Sequence, residues 1–185
     1  MDKIYGNDID GVLASFTNGF LARAKEIGVH DKLPASREEW RGWMTPDQDT
    51  FNLVWKTVES DVDFWYGLPL EPHVDQSVID SIRPDFYVTA RPIGSNITER
   101  WLRKHGFPVA PVITTPVHSN KVDVLRHYGV THFVDDKVST FYALNDAGIH
   151  CNLFTTPANE DEDLREEYAH LRIDKLQDFY KKDED

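Results

Sequence analysis

Residues 4–12 read Ile-Tyr-Gly-Asn-Asp-Ile-Asp-Gly-Val. A short run from Ile4 to Ile9 reads as a strand, and Asp8 and Asp10 stand one residue apart at its end. On a continuing strand the two carboxylates would point to opposite faces, so both address one site only if the chain turns, which Gly11 permits. A second acidic pair, Asp135 and Asp136, follows another apolar run that ends at Val134. In open α/β sheets ligands bind beyond the carboxyl ends of the strands, so the two pairs are expected to converge.

Further apolar runs read as strands at Phe86 to Thr89, Val109 to Thr114 and Cys151 to Phe154, with His132 to Val134 ahead of the second pair. Helical patterns alternate with them at Asn96 to His105, Lys121 to Tyr128 and Ser139 to Ala147, each followed closely by a glycine. That rhythm predicts an α/β fold with a mostly parallel, Rossmann-like sheet covered on both faces. Residues 16–81 break it, holding helical patterns and no convincing strand. The chain thus divides into an α/β core of residues 1–15 and 82–185 and a small helical cap of residues 16–81, inserted after the first strand. Phe16, Phe20, Leu21 and Ala24 form one stripe of that insertion, and Phe51, Val54, Trp55 and Val58 form another. Ser36 with Glu39 signals a helix start ahead of Trp40 and Trp43, and Thr45, Pro46 and Gln48 signal a second. After Glu160 to Asp163, read as a solvated helix start, Leu164, Tyr168 and Leu171 suggest a helix, and Asp174 caps a last one.

Several ionised carboxylates in one cleft repel unless a cation joins them. Oxygen ligands without a histidine or cysteine cluster favour Mg2+. Thr89 closes the second strand with a hydroxyl and nearby backbone amides, and Lys121 opens a later helix with a point charge suited to phosphate. Arg91 either clamps a phosphate or pairs with an acidic neighbour. Metal, nucleophile, acid and anion clamp are the components of phosphoryl transfer.

The ordered motifs DIDGV at 8–12, VTAR at 88–91, Lys121 and FVDD at 133–136 resemble those of haloacid dehalogenase-like phosphatases along nearly the whole chain. The resemblance implies that Asp8 is the phosphoryl-accepting nucleophile and a metal ligand. Asp10 is then the general acid and base, giving its backbone carbonyl to the metal. Thr89, Ala90 and Arg91 form a phosphate loop more basic than in some members, Lys121 stabilises charge, and Asp136 binds the metal with Asp135 in support. Within that group, DIDGVLASF at 8–16, the aromatic insertion with Phe64, Trp65 and Gly67, and LFTTPAN at 153–159 are similar to 5'(3')-deoxyribonucleotidases. This implies a nucleoside monophosphate substrate, a deoxyribonucleotide in particular, with Phe20 and Trp65 of the cap contacting the base.

Composition bounds the partners. Twenty basic and 32 acidic residues give a net charge of −12, which argues against a polynucleotide, since binding one needs cations to displace its counterions. A small phosphorylated metabolite remains compatible, because a bound cation inverts the local field. A single cysteine, Cys151, no leader-like N-terminal stretch and no membrane-length apolar run point to a soluble cytoplasmic protein. His118, His127, His132 and His150 have no zinc spacing with Cys151. Three other readings stay open: a phosphatase for sugar phosphates or other small metabolites, phosphoryl transfer to an alcohol, and a non-catalytic binding or structural protein. The oligomeric state is open as well, a homodimer included.

Overall fold

A computed structural model describes residues 2–41, 47–116 and 121–181. In chain order the elements are β1 (Tyr5–Asp8), α1 (Phe16–Glu26), a short 3-10 turn (His30–Lys32), α2 (Gln48–Val58), α3 (Val62–Gly67) and α4 (Gln76–Ser81). There follow β2 (Phe86–Thr89), α5 (Ser95–Lys104), β3 (Val112–Thr114), α6 (Val122–His127), β4 (His132–Asp135), α7 (Val138–Asp146) and β5 (His150–Phe154). A 3-10 segment (Glu166–Leu171), β6 (Arg172–Ile173) and α8 (Leu176–Tyr180) close the chain.

The strands form one sheet in the order β3-β2-β1-β4-β5-β6, and every neighbouring pair is parallel. Consecutive side chains of each strand feed two separate cores, as strand geometry requires. Tyr87, Val134 and Phe154 pack with Trp101, Leu102, Leu176 and Phe179 on one face. Val88, Phe133 and Leu153 pack with Val122, Leu125, Phe141 and Leu144 on the other. The central strand is unusually polar for its place. Buried Asn7 is satisfied by donating to the Asp8 carbonyl (2.9 Å) and accepting from the Tyr180 hydroxyl (3.1 Å). Gly6 is required by packing, because a Cβ there would lie 2.7 Å from the Phe133 ring.

Several sequence expectations shift by one residue, and four change in kind. β1 stops at Asp8 rather than Ile9, because the Ile9 carbonyl accepts from the amides of Leu13 and Ala14 (both 2.8 Å) and curls the chain. The expected strand from Val109 begins only at Val112, after Pro108 and Pro111, and Val109 is fully exposed. The Ser36 and Glu39 bond forms (3.3 Å), yet only a turn follows, as Arg37 is drawn to buried Glu71 (2.8 Å). The acidic run is a turn, and the helix expected after it is a 3-10 segment feeding a sixth strand too short to read from periodicity. Lys175, not Asp174, stands at the last helix start, without a side-chain cap. Trp43, Thr45, Pro46, His118 and residues 182–185 lie outside the described residues; α2 is capped by Asp47, whose carboxylate accepts from the Thr50 amide (2.7 Å).

The helical insertion leaves and rejoins the sheet at one place. Ser15 donates to the Pro69 carbonyl and the Glu71 amide to the Leu13 carbonyl, each at 2.8 Å, around an antiparallel bridge between Ala14 and Leu70. α1 packs on α2, α3 packs on α5, and α4 packs on α8 at the flank of the sheet. Trp101 of α5 fixes the α3 junction by donating its indole N–H to the Leu68 carbonyl (2.8 Å). Among the described residues no helix is long and apolar enough to cross a membrane.

Asp61 begins α3, accepting from the amides of Asp63 (3.0 Å) and Phe64 (3.1 Å) while its second oxygen holds Arg23 of α1 (2.7 Å). Asp61→Ala removes both the cap and the tie to α1. Urea unfolding is expected to show a loss of about 1–2 kcal/mol; an unchanged midpoint would mean that α3 is held by its packing alone.

Candidate active site

The chain runs from β1 to β2 and β3 on one side and from β4 to β6 on the other, so its switch point lies at the carboxyl end of β1. Asp8, Thr89 and Asp135 are the last residues of β1, β2 and β4, which brings them to this edge. The curled turn after Ile9, with Gly11 at φ 89°, carries Asp10 back over the same edge. Gly11 is fixed by close approach as well as by backbone: a Cβ would lie 2.2 Å from Asp136 Oδ2. The Asn159 side-chain amide donates to the carbonyls of Asp136 (2.7 Å) and Phe154 (2.8 Å), tying the loop after β4 to the end of β5. The LFTTPAN segment therefore has a structural task beside the acidic pair.

Asp8, Asp135 and Asp136 bring ligand oxygens within 4.8 Å of one another. Lys121 donates from Nζ to Asp8 Oδ1 (2.7 Å) and Asp135 Oδ2 (2.8 Å), and Asp135 also accepts from the Lys137 amide through Oδ1 (2.8 Å). The same carboxylate thus closes the turn into α7 and holds Lys121. Lys121 has φ 60°, the one left-handed non-glycine among the described residues, a conformation that costs about 1–3 kcal/mol and persists only where the surroundings impose it.

The charges are unbalanced. Burial pushes Asp8 up to about 7, with Lys121 opposing the rise and Asp135 adding to it. Burial, then Asp135 and Asp8, also raise Asp136 well above the carboxylate range. For Lys121 burial acts downward, but Asp135 and Asp8 outweigh it and the ammonium is held charged. One lysine does not neutralise three carboxylates. An all-oxygen donor set with residual negative charge, including an oxygen cradled against Gly11, fits Mg2+, and Asp8, Asp135 and Asp136 are the residues that would hold it.

A cavity of about 230 Å³ lies over the edge, lined on the sheet side by Asp8, Asp10, Ala90, Arg91, Lys121 and Asp136. Phe16, Trp55 and Trp65 of the insertion form its apolar wall, and Lys137 and Thr140 complete it. Two cap expectations need adjustment. Phe20 is fully buried against Phe16, Trp40 and Phe51, outside the lining. Trp65 reaches the cavity but is only 2% exposed, stacked on Phe16 (5.7 Å between centroids) and lying against Arg91. Half-buried Phe16 and Trp55, which the sequence reading left among packing residues, offer the larger surfaces.

Thr89 and Arg91, expected to hold phosphate, both turn to Asp10. The Thr89 hydroxyl donates to Asp10 Oδ2 (3.0 Å), and Arg91 makes a two-pronged contact from Nε to Oδ2 (2.9 Å) and from Nη2 to Oδ1 (2.8 Å). This is the acidic-neighbour alternative for Arg91. Cys151 is buried in the core on β5, where burial pushes its thiol well up, and is no candidate nucleophile.

No protein-family model matches the chain, and no curated protein sequence matches it. Among solved structures, an L-2-haloacid dehalogenase superposes with TM-score 0.53 at 10% identity, over 88% of this chain and 90% of its own. A second dehalogenase reaches 0.55 at 11% identity, over 96% and 95%. The chain has the haloacid dehalogenase fold. At such identities the fold is what is shared; in this haloacid dehalogenase fold the reaction must be argued from the carboxylates, the lysine and the cavity.

Raised carboxyl pKa values set the sign of a pH effect. Without a cation, the folded protein keeps protons on Asp8 and Asp136 that the unfolded chain, at about 3.9, has lost, so stability falls as pH rises through about 7. His73 and His132, each lowered to about 4 by burial, act oppositely but only below the ordinary 6.5. Denaturant unfolding in chelator is therefore expected to show stability decreasing as pH rises from about 6.5 through about 7, and Mg2+ to flatten that slope. A slope indifferent to Mg2+ would count against a shared cation site.

Proposed function

We propose that this protein is a magnesium-dependent phosphomonoester hydrolase working through an aspartyl-phosphate on Asp8, with a nucleoside monophosphate, a deoxyribonucleotide in particular, as substrate. The observation that carries the reading is the meeting of Asp8, Asp135 and Asp136 around Lys121 at the switch point of a parallel sheet, with Asp10 on the adjoining turn.

In the first step an Asp8 oxygen bonds to phosphorus as the ester bond breaks, and Asp10 gives a proton to the departing alkoxide. In the second, Asp10 takes a proton from water as that water attacks the phosphoenzyme, releasing phosphate and Asp8. Mg2+, when bound, supplies charge stabilisation on the phosphoryl oxygens. Lys121 and the backbone of the Thr89–Ala90 loop would hold the phosphate. The burial of Asp8 supports this role, because a poorly solvated carboxylate is the stronger nucleophile once its charge is balanced.

Phe16 and Trp55 support a leaving group that carries an aromatic base, since phosphate recognition alone has no use for two half-buried rings on the cavity wall. The volume favours a second reading. At about 230 Å³ the cavity lies below the roughly 300–1,000 Å³ usual for larger ligands, which suits a sugar phosphate or similar small ester.

Asp8→Asn is expected to retain the fold and Mg2+-dependent substrate binding while losing the acid-labile phosphoenzyme and turnover. Rapid-quench trapping checks this; normal turnover with a trapped phosphoenzyme in the variant would remove Asp8 from the role. A panel of nucleotides, sugar phosphates, 2-haloacids and nucleic-acid ends is expected to give the highest kcat/KM for a nucleoside monophosphate. Phe16→Ala and Trp55→Ala should each lower that value by a factor on the order of 10 to 100, matching about 1–3 kcal/mol of stacking, with less effect on a small alkyl phosphate. Preference for a sugar phosphate, with both variants unimpaired on nucleotides, would select the second reading.

A further inference from the structure

We propose that Arg91 is a positioning residue for Asp10, rather than a phosphate ligand, and that it couples the orientation of this carboxylate to the seating of helix α3 on helix α5. The inference rests on the phosphatase reading for the role of Asp10, but its geometry stands apart from it.

The Arg91 side chain is fully buried, and its Nε–Nη2 edge is taken by the two oxygens of Asp10. That edge is the part of a guanidinium best shaped for two parallel oxygens, so while Asp10 holds it a phosphate cannot. Two indoles pack against the group: its Cζ lies 5.4 Å from the centroid of Trp65 in α3 and 5.2 Å from that of Trp101 in α5. Both indoles are anchored. Trp65 donates to the Val58 carbonyl (2.9 Å) and Trp101 to the Leu68 carbonyl (2.8 Å), so neither ring is free to turn without breaking a buried bond. One face of the clamp therefore belongs to the insertion and the other to the sheet's helical layer.

The remaining nitrogen, Nη1, is buried with no hydrogen-bond partner among the described residues. The group is held against the two indoles, and the edge facing Asp10 is the one satisfied. The Thr89 hydroxyl, which accepts from the Arg91 amide (3.2 Å), adds a third contact to the same carboxylate. Asp10 itself is partly open to the cavity, its side chain 23% exposed, so its outward reach is set by these inner contacts. When α3 is unseated, one wall of the clamp is gone and Asp10 loses its fixed direction toward the leaving oxygen.

The test separates positioning from phosphate binding. In full-length Arg91→Lys, charge is kept but the planar fork is lost. Its kcat/KM is expected to fall about 10²-fold for a nucleoside monophosphate or alkyl phosphate, whose leaving oxygen needs a proton. It should fall far less for p-nitrophenyl phosphate, and the inhibition constant for inorganic phosphate should stay unchanged. Trp65→Leu should give the same leaving-group pattern. Equal losses on both esters, accompanied by weakened phosphate inhibition, would make Arg91 a phosphate ligand and overturn the proposal; a Trp65→Leu effect confined to KM would overturn the coupling to α3. A double-mutant cycle of Asp10→Asn and Arg91→Lys on unfolding free energy reads the pair without turnover. Clear coupling is expected, and strict additivity would overturn the pairing. If wild-type protein hydrolyses no phosphate ester, the phosphatase reading fails while the cycle still decides whether Arg91 holds Asp10.

Discussion

Three carboxylates with oxygens within 4.8 Å of one another, at the buried end of a parallel sheet, repel one another, and among the described residues a single lysine is bonded to them. Much of the local structure answers this repulsion. Lys121 accepts a left-handed backbone to place Nζ between Asp8 and Asp135, and Gly11 gives up a side chain so that Asp136 can approach the first loop. Asn159 ties the backbone behind Asp136 to β5, and the Lys137 amide fixes the spare oxygen of Asp135. Such an arrangement is poorly suited to stability by itself and well suited to a divalent cation and an anionic substrate.

The second constraint is geometric. The insertion joins the sheet through the adjacent segments around Ala14 and Leu70, and rests on α5 through Trp101, Trp65 and the guanidinium between them. The aromatic side chains divide accordingly. Phe20 and Phe51 stack on each other to hold α1 and α2 together, while Phe16 and Trp55, at the margin of the same cluster, face the cavity. A single apolar assembly thus supplies both the packing of the insertion and the wall of the site.

The motif order in the sequence was enough to bring the two acidic pairs to one edge of the sheet. In a parallel sheet every strand presents its carboxyl end on the same side, so Asp8, Thr89 and Asp135 meet once their runs are recognised as strands. Glycine signals placed α5, α6 and α7 within a residue of their observed limits. The strand at Arg172–Ile173 escaped because two residues have no period, and the start of α2 escaped because Asp47 competed with an equally good Thr45–Pro46 signal.

Sequence by itself therefore determined the α/β architecture, the edge at which the acidic pairs gather and the all-oxygen character of the site, since these follow from residue type and order along strands. Tertiary structure alone decided which partner each group takes. Nothing in VTAR distinguishes an arginine that grips phosphate from one that grips Asp10, because the choice depends on a slot between two tryptophans from distant segments. Nor does the α1 stripe tell Phe16 from Phe20. Periodicity gives both the same face, and only the orientation of the helix over the sheet leaves one ring at the cavity and the other in the core.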